Sequence, residues 1–154
     1  MSGAAERLAA LGLTLPPVTA PVAAYVPAVR TGTYVYTSGQ LPTVDGKLPA
    51  VGKVGDEVSA QDAAGMARTC ALNAVAAAAS AAGGLEAIRR IVKVTGFVAS
   101  APGFSGQPQV INGASELLIE VFGEDGKHAR SAIGVAELPL NAPVEVELIA
   151  EVRD

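Results

Sequence analysis

The chain has 154 residues, a mass of 15.4 kDa, a formal net charge of −4 and a sequence pI near 5.0. Half of its residues are apolar and 17% are charged, which suits one folded domain with a real core and excludes a disordered chain. The basic residues are scattered and aromatics make up 4%, so the footprint of a nucleic-acid binder is missing. One cysteine, Cys70, and one histidine, His128, allow neither a disulfide within the chain nor a Cys/His zinc site, and they leave no Ser-His-Asp or Cys-His arrangement. The chain carries neither an apolar run of about 18 residues nor a basic segment leading into an apolar one, so a cytoplasmic protein without a membrane partner is expected.

Ala4 to Leu13 reads as a short amphipathic helix, stopped by Gly12 and the Pro16-Pro17 pair. It belongs to an N-terminal extension, 1–17, in front of the main domain at 18–154. Ala24 to Arg30 follows as a strand whose internal Pro27 points to an edge or a bulge. Thr31-Gly32 is a turn, and Tyr34 to Ser38 is a β-branched and aromatic strand. Leu41 to Gly55, rich in Gly, Pro and Asp, is a loop or a loose hairpin.

Ser59 and Asp62 have the spacing of a capping box, opening a helix that stops at Gly83-Gly84. Its stripe runs through Ala63, Met66, Ala67, Cys70, Ala74 and Ala78, which makes Cys70 a small buried hydrophobe. Ile91 to Ala99 is a strand broken by Gly96. A second helix spans Gln107 to Phe122, with Pro108 in its first turn, a stripe of Val110, Ala114, Leu117, Leu118 and Val121, and Gly123 at its end. Gly126-Lys127-His128 reads as a solvated turn.

The last two strands carry the chemistry. Arg130 heads a run of small residues, and after the break at Pro139, Asn141 and Pro143 comes Val144 to Ala150. Alternation puts Glu145 and Glu147 on one face and Val144, Val146 and Leu148 on the other. With Arg130 and Glu145 on neighbouring strands, one cation and one carboxylate can bind a small carboxylate and manage a water beside it. The order ββαβαββ predicts an α+β domain, with two helices on one face of a single mixed sheet. Nothing in the chain remains to cover the other apolar face, so a symmetric oligomer with sheet faces turned to its centre is expected.

Tyr36-Thr37-Ser38-Gly39-Gln40-Leu41-Pro42 resembles the strand-and-turn signature of the RidA family, also called YjgF/YER057c/UK114. Lys93 to Val98 resembles that family's central strand, and Arg130-Ser131, Leu138-Pro139 and Val144 to Glu147 its C-terminal signature. In order and with matching spacing, these segments span most of the chain from Tyr25 to Val152. The resemblance implies a chorismate-mutase-like fold, a homotrimer with three clefts between subunits, and cofactor-free hydrolysis of 2-imino acids to 2-keto acids and ammonia. It also implies roles. Arg130 clamps the substrate carboxylate, Glu145 holds and activates the attacking water, Tyr25 lines the cleft, and Asn112 faces it from the second helix. Ser38 and Gly39 shape the pocket wall, and Ala132 stands where the family often has cysteine. Departures are the run Ala23-Ala24-Tyr25-Val26-Pro27, where many members have Gly-Pro before the tyrosine and Ser-Gln after it, together with Ala132 and the added N-terminal segment.

Each residue also has a plainer reading. Arg130 can pair with an interface carboxylate, Glu147 can belong to a solvated strand face, and Tyr25 can be a half-buried packing residue. Asn112 can face solvent or cap local backbone, and Thr37 to Gln40 can be an ordinary turn. For function, the rivals to a deaminase are a non-catalytic or regulatory trimer binding a small carboxylate, and a related hydrolase of another substrate class. Endoribonuclease activity, a name some relatives carry, is disfavoured by the acidic charge and the lack of an evident histidine base.

Overall fold

The computed structural model describes residues 3–18 and 24–154; residues 19–23, which include Ala23, lie outside the described residues. The helices are α1 (Ala4–Ala10), α2 (Ala60–Ala82) and α3 (Gln107–Phe122). The strands are β1 (Ala28–Thr31), β2 (Tyr34–Thr37), β3 (Ile88–Ala99), β4 (Ala129–Val135) and β5 (Val144–Val152). They form one mixed sheet in the order β1-β2-β5-β3-β4, with β3 and β4 parallel and every other pair antiparallel. None of the helices among the described residues is long and apolar enough to cross a membrane.

The punctuation read from the sequence acts as expected at both long helices. Ser59 caps α2 by accepting the Asp62 N–H at 3.0 Å, and Gly83 ends the helix at φ 97°, a conformation that costs a residue with a Cβ energy. Pro108 sits in the first turn of α3, and Gly123 follows its last residue. Both helices lie on one sheet face. Val110, Ile111, Ala114, Leu117, Leu118 and Val121 of α3 are buried in one cluster with Val94 and Val98 of β3 and Val146 and Leu148 of β5. Full burial of each such aliphatic side chain contributes about 1.5–3 kcal/mol. The other sheet face carries Phe97, Glu145, Glu147 and Ile149 in the middle, with Tyr36 45% and Ile133 44% exposed.

Alanines make α2 a thin helix, and α3 uses the space. A Cβ on Gly113 would run into the backbone carbonyl of Ala64, so the two helices touch main chain to main chain. Gly113→Ala forces the helices apart, and we expect it to lower the unfolding free energy by about 1–3 kcal/mol in a urea titration. An unchanged midpoint would show that the helix pair is looser than described.

The sequence expectations for the strands fail at four places. The first strand begins at Ala28 rather than Ala24, leaving Tyr25 in a bend; Pro27 has no N–H to donate, and its carbonyl instead accepts the Ser38 N–H at 2.8 Å. Gly96 does not break its strand: β3 runs through it, because the Ile111 side chain fills the place of its missing Cβ. That strand starts at Ile88 rather than Ile91, carried past two register shifts against β5. Finally, β4 and β5 are not neighbours. The β3–α3–β4 unit returns parallel to β3 on one side, so β5 enters on the other, and β3 separates the strands of Arg130 and Glu145.

Candidate functional site

Arg130 lies on the edge strand β4, in register with Val94 and, through it, with the buried Leu148, so its side chain starts on the helix face. There it meets α3. Its Nη1 donates to Asn112 Oδ1 at 2.8 Å and to Ser115 Oγ at 3.2 Å. Ser115 Oγ is in turn 2.9 Å from His128 Nε2, and His128 Nδ1 is 2.6 Å from the Gly126 carbonyl oxygen. A carbonyl only accepts, so Nδ1 carries the proton, and in the neutral ring Nε2 accepts from the serine hydroxyl. Burial pushes the His128 pKa below its ordinary value; the Gly126 bond opposes this and the Arg130 charge adds to it.

A guanidinium has five N–H groups. The two on Nη1 are spent on Asn112 and Ser115, and among the described residues Arg130 makes no ion pair. The Nε and Nη2 hydrogens remain, the parallel pair that fits both oxygens of a carboxylate.

Glu145 belongs to the opposite face, level with Phe97 and Ile133. Its carboxylate occupies the place where Gly39 lacks a Cβ, so the glycine makes room for it. Half-burial raises the Glu145 pKa above the usual carboxylate value, and the like charge of Glu147 raises it further. Ser38, next to Gly39, donates its hydroxyl to the Val26 carbonyl at 2.6 Å, which ties this loop to the bend carrying Tyr25. Tyr25 is 57% exposed.

The residues singled out in the sequence therefore fall into two groups. Asn112 and Arg130 join directly, with Ala132 two residues on along the same strand face and packed against the core. Ser38, Gly39 and Glu145 gather on the β2–β5 side, with Tyr25 tied in through Val26. Within one chain the groups stand on opposite sheet faces, two strand spacings apart and three residues out of register, which puts their Cα atoms about 14 Å apart. One copy does not bring Arg130 and Glu145 onto one small molecule.

His128 is not the solvated turn residue expected: it is partly buried and bonded at both ring nitrogens. Sequence reasoning missed Ser115 and His128, although spacing pointed to both. Ser115 stands one helical turn after Asn112, and His128 stands two residues before Arg130 on the same strand-side alternation. Cys70 is the buried hydrophobe expected; burial drives its pKa well up, so it stays an unreactive thiol.

The family described as "YjgF/chorismate mutase-like, putative endoribonuclease" matches residues 5–152. Protein TCP17 of Trypanosoma cruzi is 42% identical over 151 residues, covering 97% of this chain and 94% of its own. A crystal structure of a protein of unknown function from Agrobacterium tumefaciens superposes with a TM-score of 0.90 at 46% identity, covering 98% of this chain and 94% of the other. Escherichia coli TdcF, crystallised with bound serine, superposes with a TM-score of 0.60 at 31% identity, over 88% of this chain and 92% of its own. Matched from α1 to the end of β5, the chain belongs to the YjgF family, also called RidA.

Proposed function

We propose that the protein is a cofactor-free hydrolase that deaminates 2-imino acids to 2-keto acids and ammonia, as a homotrimer whose clefts join the Arg130 group of one copy to the Glu145 group of the next. The observation that carries this reading is the half-spent guanidinium of Arg130, held by α3 with its Nε and Nη2 hydrogens unused. Membership of the family supports small-molecule processing, and the serine bound to TdcF supports a ligand with an amino-acid carboxylate. The separation of the two groups in one chain, and a sheet face that no helix of the described chain covers and that leaves Tyr36 and Ile133 exposed, support assembly.

Arg130 binds the substrate carboxylate and orients the imine. Glu145 accepts a proton from water as the oxygen adds to C2 of the protonated imine, giving a carbinolamine. The same carboxyl returns the proton to nitrogen; as the C–N bond breaks and ammonia leaves, the ionised carboxylate takes the hydroxyl proton, leaving the keto oxygen, and passes that proton to the departing ammonia. A protonated imine is already electrophilic, so positioning and proton handling suffice. The raised pKa of Glu145 suits a group that takes up and releases a proton in one cycle.

A PLP-dependent threonine dehydratase that releases 2-iminobutanoate, with semicarbazide competing for the imine, tests the reading directly. Added protein should speed keto acid release, and no acceleration with intact oligomer would move the assignment to a binder or another substrate class. Sharing of sites has its own test. Arg130→Ala and Glu145→Gln chains, each inactive alone, should on co-refolding regain about a quarter of wild-type sites if copies combine at random. No recovery in mixed oligomers would place both residues' work within one chain. An RNA substrate fits poorly: net charge is −4, and both nitrogens of the lone histidine are engaged.

A further inference from the structure

We infer that Ser115 and His128 are positioning residues for Arg130, a chain of hydrogen bonds that fixes which edge of the guanidinium faces the ligand. The inference rests on the carboxylate-binding reading of Arg130 and adds to it two residues, Ser115 and His128, that the sequence reading passed over.

Asn112 alone leaves the guanidinium free to rotate about that one contact. Ser115, one turn further along α3, takes the second Nη1 hydrogen, and two acceptors on one helix face define the plane of the group. A serine hydroxyl is itself a rotor. It presents a lone pair to Arg130 only if its own hydrogen is directed elsewhere, and His128 Nε2 at 2.9 Å is where that hydrogen goes. The histidine is oriented in turn. Its Nδ1–H is anchored on the Gly126 carbonyl at 2.6 Å, and Gly126 is buried so close to α3 that a Cβ there would strike the Leu118 carbonyl. Direction therefore passes from the packed end of α3 through Gly126, His128 and Ser115 to Nη1 of Arg130. Burial keeps the imidazole in the neutral form that can accept.

This architecture makes two separable demands on experiment. In the ligand-free protein, NMR of the arginine side chains should show slow rotation about the Cζ–Nη1 bond of Arg130, lost in Ser115→Ala and reduced in His128→Ala. With 2-ketobutyrate as probe, Ser115→Ala should raise Kd by about three- to tenfold, the worth of one hydrogen bond, while Ser115→Thr, which keeps the hydroxyl, should stay within about twofold. A thermal melt separates these effects from lost folding, and if Ser115→Ala does not fold, His128→Ala breaks the same chain one link further out. Unchanged Arg130 rotation and Kd in both alanine variants would overturn the inference. If Arg130 rotation depends on Ser115 but wild type binds no keto acid, the carboxylate reading fails instead, and the role assigned to Ser115 in ligand binding falls with it.

Discussion

Arg130→Ala should lower kcat/KM for imine hydrolysis by about two to four orders of magnitude, because it removes two charge-assisted hydrogen bonds worth about 1.5–3 kcal/mol each. KM should rise with the loss, since the carboxylate is held in the ground state as well as in the transition state. Folding should be affected little: Arg130 makes no ion pair among the described residues, and its partners Asn112 and Ser115 lie at the margin of the core. Arg130→Lys is the sharper test. It keeps the charge but offers a point donor in place of a fork, and it cannot reach Asn112, Ser115 and a carboxylate in one plane. We expect the lysine variant to recover less than about a tenth of wild-type kcat/KM. Full activity in either variant would remove the carboxylate clamp, and with it the main support for the deaminase.

Glu145→Gln should act on the other kinetic constant. The amide keeps the shape beside Gly39 but no longer accepts a proton, so kcat should fall by about two to three orders of magnitude while KM changes little. The pH profile gives an independent readout. A general-base role for Glu145 requires the ionised carboxylate, so on the proposed mechanism kcat should climb as pH rises through the Glu145 pKa, which burial and Glu147 have raised above the usual value for the residue. Glu147→Gln removes the like charge and should move that midpoint to lower pH. The sign for stability is opposite. A carboxyl with a raised folded-state pKa binds its proton more tightly folded than unfolded, so its contribution is fully present below the unfolded value and is lost as pH rises through the folded one. A midpoint at or below the ordinary glutamate value would show that Glu145 is not half-buried in solution. Wild-type kcat in Glu145→Gln would take away the proton-transfer role.

The two kinetic effects are separable because the residues differ in how the chain holds them. Arg130 hangs from an edge strand and is braced by α3, whereas Glu145 sits mid-sheet on the face that no helix of the described chain covers. A ligand touching both must be shared between copies, and co-refolding of the two inactive variants addresses that sharing directly.

Much was legible in the sequence wherever the determinant is local. Ser59, Gly83, Pro108 and Gly123 mark the ends of α2 and α3 through backbone chemistry that involves only near neighbours. Alternation along Val144 to Ala150 put Glu145 and Glu147 opposite the buried Val144, Val146 and Leu148, because side-chain direction in a strand follows parity alone. The element order and the family signatures came from the same one-dimensional information, and so did the choice of Arg130 and Glu145 as the residues to watch. What the tertiary structure decided was everything that depends on which strand lies beside which. Sequence adjacency suggested that β4 and β5 pair, but α3 carries β4 to one edge of β3 and leaves β5 the other, so the two charges part. Gly96 looked like a strand breaker until the Ile111 side chain was seen to need its missing Cβ, and His128 looked solvated until Ser115 closed on it from another element. Contacts between elements distant in sequence are set by packing, which local propensity does not encode; that is why Arg130, Asn112 and Glu145 were named from the chain while Ser115 and His128, which brace Arg130, were not.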